Sequence, residues 1–295
     1  MYSKSKKISL IILISIISGI LHTSCITTKQ SKVEYIPRET ALPGWRLVNE
    51  RFFKNRKDKD LPEYLKKLEK FKSVSLSEYV FFSDDERRVN LTVISYNDFI
   101  SSLSAYSEIL ISTEKEIIYV EEFTALSDEK YVTVHENLVI IVETTEKDYS
   151  VVKEFKAAVI EMMPEENKKA VIPREVKIFA GSRNNLLYLK RGLSHLPEIN
   201  NIFIRYRENY RLLYKQYSSE EALMRVFANL SDAKTGYTLG QFQDFTYLFK
   251  EDNKGKIVLV FYYKDWILSV IDADNINDAR TIAARIIVEA KEQGL

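Results

Sequence analysis

The residue with the most distinctive chemistry is Cys25, the single cysteine of the 295-residue chain. It has no partner for an internal disulfide, and an exposed free thiol is a liability in an oxidising compartment. Its setting is also distinctive. Lys4, Lys6 and Lys7 precede an apolar run from Ile8 to Leu21, and small polar residues lead from there to the cysteine. This arrangement is typical of an export signal that ends at the cysteine.

The first 25 residues resemble the signal peptide of bacterial lipoproteins, in which the cysteine after the cleavage site is lipidated and becomes the new N-terminus. The apolar run is too short to span a bilayer comfortably, and its positive head fits a cleaved export signal. His22 stands where that family usually has Leu. The resemblance implies a signal peptide at residues 1–24, lipidation of Cys25, a polar tether at 25–40, and an exported chain anchored by lipid in the bacterial envelope, at the outer membrane. A plain secretion signal with a free Cys25 and an uncleaved membrane anchor are the alternatives.

The composition indicates a folded body with balanced charge. Removing residues 1–24 leaves 40 basic and 42 acidic residues, a net charge of about −2. A nucleic-acid binder needs a strong basic surplus, so this class is not expected. Hydrophobic residues make up 45% of the chain, including 15 Phe and 18 Tyr, which supplies a packed core. The length fits one large or two modest domains.

The order of patterned segments predicts two similar units, at residues 41–165 and 171–292, joined near 164–172. In the first unit, the apolar spacing and turn signals predict helices and strands in the order helix 61–71, strands 75–82 and 89–96, helix 97–110, strands 116–124, 130–135 and 138–144, and helix 148–163. The second unit is predicted to contain a strand at 175–180, a helix at 184–191, a hairpin at 201–207 and 210–217, a helix capped by Ser218, strands at 244–250, 256–263 and 266–273, and a helix at 277–291.

Alternating helices and antiparallel hairpins predict an α+β fold in which each unit is an antiparallel sheet with helices packed on one face. A doubly wound parallel sheet is the second choice. The paired layout resembles that of uncharacterised secreted bacterial proteins, and this resemblance implies no activity.

Common catalytic and cofactor motifs are missing from the sequence. His22 belongs to the export segment, His135 and His195 fall in loop-like settings, and no HxxxH, HExxH or Cys/His cluster of zinc-binding type occurs. The glycines of Gly236–Gly240 lack the Lys-Ser/Thr of a phosphate loop and indicate a flexible connection. We therefore expect no cofactor and no metal.

Two acidic clusters are interpreted as structural. One is Asp84-Asp85-Glu86 in a turn, and the other combines Asp272, Asp274 and Asp278. The second lacks the central Gly of a calcium loop. It fits a strand end that leads into a helix N-terminus, where acids are favoured by the helix dipole.

The hairpin around residues 202–217 is the candidate binding surface. Its cations and tyrosines are interleaved, and the set comprises Arg205, Arg207, Arg211, Lys215, Tyr206 and Tyr214. Strand alternation is expected to project most of the cations to one side, where cations among tyrosines would hold sugars, lipid headgroups or anionic polymers. The alternative is an ordinary solvated sheet face guarded against pairing. Trp45 and Trp266 are expected in the core.

The expected function is that of a non-catalytic envelope lipoprotein, a binding or assembly module held to a membrane by its N-terminal lipid. Its partner would be an envelope glycan, lipid or protein, and no nucleic acid. The alternative is an envelope glycan hydrolase that uses a carboxylate pair, for which 42 acidic residues supply many candidates. Two buried carboxylates in a cleft about 5–10 Å apart would favour the enzyme.

Overall fold

The computed structural model describes residues 41–53, 75–112, 117–121, 123–127, 130–145, 148–169, 171–179, 186–194 and 196–295, together with Pro37 and Ser73. These residues all belong to one compact unit, which spans residues 35–295. The export segment, Cys25, the tether apart from Pro37, the helix predicted at 61–71, and His195 lie outside the described residues.

The first sheet has seven strands, all joined by antiparallel pairing. They are β1 (Trp45–Phe52), β2 (Ser75–Ser83), β3 (Arg88–Ser95), β4 (Ile118–Glu121), β5 (Thr124–Ser127), β6 (Lys130–His135) and β7 (Leu138–Thr144). Their order across the sheet is β1-β2-β3-β7-β6-β5-β4. Helix α1 (Phe99–Ser112) connects β3 to β4, and helix α2 (Tyr149–Glu161) follows β7.

The second sheet also has seven antiparallel strands. They are β8 (Leu186–Leu189), β9 (Ile202–Tyr206), β10 (Arg211–Gln216), β11 (Thr238–Phe242), β12 (Phe245–Glu251), β13 (Ile257–Tyr263) and β14 (Trp266–Ala273). Their order is β11-β12-β13-β14-β10-β9-β8. The short helices α3 (Glu165–Lys168) and α4 (Arg174–Lys177) precede this sheet, α5 (Glu220–Leu230) connects β10 to β11, and α6 (Ile276–Glu292) follows β14.

The two sheets repeat one topology. Within the described residues, each half supplies three strands, a helix, four strands and a final helix. In each sheet the last strand pairs with the third. The α+β class, the antiparallel sheets and the internal duplication are therefore confirmed.

The helices cover both faces of each sheet, whereas the sequence analysis expects one covered face. Along β7, Leu138, Ile140 and Val142 share a core cluster with α2, and Val139 and Ile141 share a cluster with α1. In the second sheet, Phe227 of α5 contacts Tyr262, with ring centroids 5.1 Å apart. Arg280 of α6 donates to the Tyr247 hydroxyl at 2.7 Å, and the register places Tyr247 on the opposite face from Tyr262. In the central strands, the residues that point to either face are apolar, so both faces must be buried against other elements.

Several local predictions differ from the structure. Residues 174–177 are helical instead of extended, and residues 186–189 form β8 instead of part of a helix. The helix after β10 is capped by Ser219, whose side chain accepts from the Ala222 amide at 3.2 Å, and not by Ser218. Strands β1 and β11 are additional to the predicted elements. The single strand predicted at 116–124 is two paired strands, β4 and β5. A four-residue apolar run such as Leu186–Leu189 carries too little periodicity to separate helix from strand.

The predicted core residues are buried. Trp266 is 3% exposed, Phe261 0% and Ile286 1%. Trp45 packs edge-on against Phe155 of α2, with ring centroids 5.1 Å apart. Both tryptophans therefore belong to the core, as predicted.

Candidate functional site

A polar cleft of about 410 Å³ lies on the face of the first sheet that also carries α1. We call it the polar cleft and define it by its charged and amide side chains, which are Asn49, Arg51, Glu78, Arg88, Asn90, Lys130 and Glu143. Helix α1 covers the apolar part of this face, and the polar side chains occupy the part beside it. A cavity of this size is in the range of small-ligand sites.

The register of the sheet brings these residues together from five strands. Arg51 pairs with Glu78 across β1 and β2, and Asn90 pairs with Glu143 across β3 and β7. Lys130 of β6 pairs with Glu143 from the other side. Residues that pair directly point to the same face of a sheet, so one face carries charges of both signs in two neighbouring rows. Arg51 and Glu78 lie side by side in one row, and Asn90, Glu143 and Lys130 lie side by side in the next.

Polar contacts link four of these side chains, from Arg88 through Asn90 and Glu143 to Lys130. Arg88 donates from Nε to the Asn90 side-chain oxygen at 3.1 Å, and Asn90 donates to Glu143 Oε2 at 3.3 Å. Lys130 Nζ lies 3.0 Å from Glu143 Oε1. About 30% of each of these two charged side chains is exposed, so the ion pair adds little stability. The ion pair instead orients the Glu143 carboxylate, which lies between two donors, Lys130 and Asn90.

Glu78 is in a different electrostatic setting. Burial raises the pKa of its carboxyl, Glu143 adds to the rise, and Arg51 and Lys130 oppose it. Among the described residues, the Glu78 side chain makes no hydrogen bond or ion pair that would hold it in place. A half-buried carboxyl with a raised pKa inside a cleft can accept a hydrogen bond from a ligand or hold a proton for transfer.

The chemistry of the polar cleft is therefore mixed. Arg51 and Arg88 offer planar guanidinium donors suited to carboxylate or phosphate groups, and Glu78 offers an acceptor for hydroxyl groups. The sequence analysis did not identify these residues. Their signal is weak but present, because Glu78, Asn90 and Glu143 are polar positions inside strands whose other residues are largely apolar.

The structure separates the residues of the predicted binding hairpin. Leu212 pairs with Arg205, and Arg211 pairs with Tyr206. Arg205 and Arg207 therefore lie on one face, and Arg211 and Lys215 on the other. The prediction that these cations project to one side is wrong. Both faces of the hairpin strands carry apolar residues, so neither face is a solvated surface that the four cations could share.

Two of these cations hold the segment that follows α4. Arg205 is 3% exposed and donates from Nε to the Ile178 carbonyl at 2.9 Å and from Nη2 to the Val176 carbonyl at 2.5 Å. Arg207 donates to the Phe179 carbonyl at 2.8 Å. Both guanidinium groups are thus used within the fold.

The other residues of the hairpin also have internal contacts. Arg211 forms a bidentate pair with Asp272, with N···O distances of 2.5 and 2.9 Å. Lys215 donates to the Asn200 carbonyl at 2.7 Å. Tyr214 is 1% exposed and Tyr206 is half-buried. The six residues do not form one continuous surface.

The acidic clusters serve turns, ion pairs and a helix cap. Asp85 accepts from Ser83 and Arg87. Asp274 pairs with Lys256, and Asp278 accepts from Asn275, the cap residue of α6, at 2.6 Å. In the described part of the chain, no group of three or more His, Cys, Asp or Glu residues is arranged to hold a metal ion.

His135 and the glycine segment also have structural positions. The Nε2 atom of His135 lies 3.1 Å from the Lys168 carbonyl oxygen, and burial lowers the pKa of this half-buried imidazole. Gly236 adopts a left-handed conformation, with φ of 75°, at the end of a short 3₁₀ helix. Gly240 belongs to β11, where its Cα faces the Tyr247 ring. The predicted flexible connection is thus a turn followed by a strand.

Comparison of the chain with protein-family models, with curated proteins and with solved structures gives no match. Within the described ranges, no helix is both long enough and apolar enough to cross a membrane.

Proposed function

We propose that the protein is a non-catalytic envelope lipoprotein, anchored by a lipid on Cys25, that binds an envelope glycan carrying acidic groups in its polar cleft. The observation that carries the binding role is the group of charged side chains of both signs that five strands bring to one face. Among the described residues, Glu78 of this group makes no hydrogen bond or ion pair. The anchor is supported by the sequence of the first 25 residues.

An acidic glycan fits the cleft better than a uniformly charged polymer. Its carboxylates would meet Arg51 and Arg88, and its hydroxyl groups would donate to Glu78. A polymer that carries only negative charge would meet Glu78 and Glu143 as like charges. A binding module of this kind needs no catalytic motif, which agrees with the sequence.

Co-sedimentation of the full-length protein in detergent with insoluble cell-wall glycan tests the binding. The double variant Arg51→Ala/Arg88→Ala is expected to lose at least about tenfold in affinity, since each charge-assisted hydrogen bond is worth about 1.5–3 kcal/mol. The matched control Arg225→Ala/Lys234→Ala removes two exposed cations of the second half and is expected to bind normally. Equal binding by both double variants would contradict the proposal.

The anchor has its own test. Changing Cys25 to Ala is expected to leave unprocessed precursor that still carries residues 1–24. Mass spectrometry of the mature wild type is expected to show a lipid-modified N-terminal cysteine. An unmodified Cys25 at the N-terminus would contradict the lipidation. A single acyl chain holds a protein only marginally, so two or more chains are expected.

The second candidate function is glycan hydrolysis by a carboxylate pair, and the raised pKa of Glu78 favours it. In this reaction Glu78 would donate a proton to the glycosidic oxygen, and Glu143 would act from the same cleft as nucleophile or base. Lys130 and Asn90 would keep the Glu143 carboxylate oriented. The two candidates differ in turnover. Release of new reducing ends that is lost in Glu78→Gln would establish the hydrolase, and glycan binding without release would support the binding module.

A further inference from the structure

A second cleft, of about 650 Å³, lies where the two halves of the sequence meet. We call it the junction cleft. It is lined by residues of α1, α4, β8, β9, the end of β10 and the β13–β14 turn, among them Ile100, Glu175, Tyr188, Phe203, Gln216 and Asp265. It shares no lining residue with the polar cleft. Sites between structural units are a common position for small ligands.

The floor of the junction cleft is aromatic and rigid. The rings of Tyr188 and Phe203 lie 4.9 Å apart, and Phe203 stacks on Tyr214 at 5.3 Å with an interplanar angle of 19°. Tyr188 and Phe203 are 8% and 7% exposed. They therefore present small apolar surfaces that are fixed by the packing below them, which costs a ligand little ordering of the protein.

The wall of the junction cleft is polar and pre-oriented. Gln216 donates from Nε2 to Asp265 Oδ2 at 2.7 Å, and the Tyr217 amide donates to the Asp265 carbonyl at 2.8 Å. The Gln216 amide group is thus held in one orientation. Lys215 donates to the Asn200 carbonyl at 2.7 Å and lies 4.6 Å from the centre of the Tyr217 ring.

Tyr217 adds a polar group without a partner. Its hydroxyl oxygen is buried and makes no hydrogen bond among the described residues. Burial raises the pKa of this phenol to about 12, so the hydroxyl stays neutral and can both donate and accept. A buried polar group without a partner costs free energy, which a bound ligand or ordered water would recover.

We propose that the junction cleft binds a neutral saccharide. A sugar ring presents hydroxyl groups that donate and accept, matching Gln216, Tyr217 and Asp265, and C–H surfaces that pack against the aromatic floor. The charges argue against the other classes. Glu175 and Asp265 disfavour an anionic ligand, and Lys215 disfavours a cationic one. The described lining residues include no arginine that would select a carboxylate or phosphate.

This inference adds a second site to the proposed binding module and rests on different residues. Isothermal titration of the full-length protein in detergent with the N-acetylglucosamine tetrasaccharide, a neutral probe, is expected to give saturable binding. Gln216→Ala and Tyr217→Phe are each expected to weaken this binding about 3- to 10-fold, the effect of one lost neutral hydrogen bond. The control Gln241→Ala removes an exposed amide on β11 and is expected to leave the affinity unchanged.

The outcomes separate the two sites. Loss of tetrasaccharide binding in the Gln216 and Tyr217 variants, with normal binding by Arg51→Ala/Arg88→Ala, supports the junction cleft. No binding by the wild type, or equal binding by wild type and both variants at unchanged thermal midpoints, overturns the inference. Loss only in Arg51→Ala/Arg88→Ala would also overturn it, since the saccharide would then occupy the polar cleft, and the proposed function would stand.

Discussion

The buried guanidinium of Arg205 donates from Nε to the backbone carbonyl of Ile178 at 2.9 Å, across 27 positions of sequence. This bond fixes the segment that connects the two sheets against the second one. Lone buried charges are costly, but here the charge is spread over a planar group that meets two carbonyl oxygens. Arg205 of the hairpin at 202–217 therefore stabilises the fold and is not part of an exposed binding surface. We call its bonds to Val176 and Ile178 the Arg205 clamp.

Arg205→Ala is expected to destabilise the fold by about 2–5 kcal/mol, because it leaves the carbonyls of Val176 and Ile178 without these donors. The loss is measured as a lower urea midpoint with an unchanged slope. Arg225→Ala, which removes a pair with 75% and 76% exposed side chains, is expected to change stability by less than about 0.5 kcal/mol. A similar small effect at both positions would show that the clamp contributes nothing.

Ile286→Ala is expected to cost about 2–5 kcal/mol, since this side chain of α6 is 1% exposed and its removal leaves a cavity. Val288 on the same helix is 53% exposed, so Val288→Ala is the matched control. Chemical denaturation of the two variants side by side separates burial from helix propensity. Equal losses would mean that α6 does not pack as described.

Gly240→Ala is expected to destabilise by about 1–3 kcal/mol through overpacking. A Cβ atom at this position would lie 2.4 Å from the Tyr247 ring carbon Cζ, and the ring is held by its contact with Arg280. Leu239→Ala, at an exposed neighbouring position, serves as the control. A thermal midpoint of Gly240→Ala equal to that of the wild type would show that the ring moves aside without cost.

His135 is expected to make stability fall at mildly acidic pH. Burial lowers the pKa of its imidazole in the folded state below the ordinary value of about 6.5. The unfolded chain therefore takes up the proton first as pH falls, and the contribution of the neutral ring, complete above about pH 7, is lost toward pH 5. The difference in unfolding free energy between wild type and His135→Gln is expected to shrink over this window. A constant difference from pH 8 to pH 5 would exclude the effect.

Glu78→Gln is expected to have the opposite pH dependence. Burial raises the pKa of this carboxyl, so the ionised side chain opposes folding at neutral pH and the protonated form does not. The amide variant is expected to melt slightly higher than the wild type at pH 7. The gap is expected to narrow as pH falls toward the ordinary carboxyl pKa of 4.5 and to be closed below it. The same variant at pH 7 reports on glycan binding, which links the stability measurement to the site.

The sequence predicts the parts of the fold that depend on pattern and composition. The α+β class, the repeated layout and the burial of Trp266, Phe261 and Ile286 follow from periodic apolar residues and turn signals. The prediction is wrong where a short apolar run fits both a helix and a strand, as at Leu186–Leu189. It also fails where neighbours decide the role of a side chain, as for Arg205, whose partners lie 27 and 29 residues away.

The polar cleft could not be predicted for a related reason. Arg51, Glu78, Asn90, Glu143 and Lys130 become neighbours only through the register of five strands, and the pairing of β3 with β7 joins residues on either side of a helix and three strands. Single polar positions inside apolar strands look unremarkable in sequence. Their placement side by side on one face is a property of the sheet.

The return of the last strand to the third in each sheet has a consequence for how the chain folds. Ser95 pairs with Leu138, and Gln216 with Trp266, so each central ladder joins segments separated by more than forty residues. Such non-local pairing forms slowly. A chain that emerges N-terminus first would leave one edge of β3 unpaired until β7 arrives, and later one edge of β10 until β14 arrives. Each seven-stranded sheet is therefore completed only when its last strand has emerged, so the first sheet can complete its central ladder before the second.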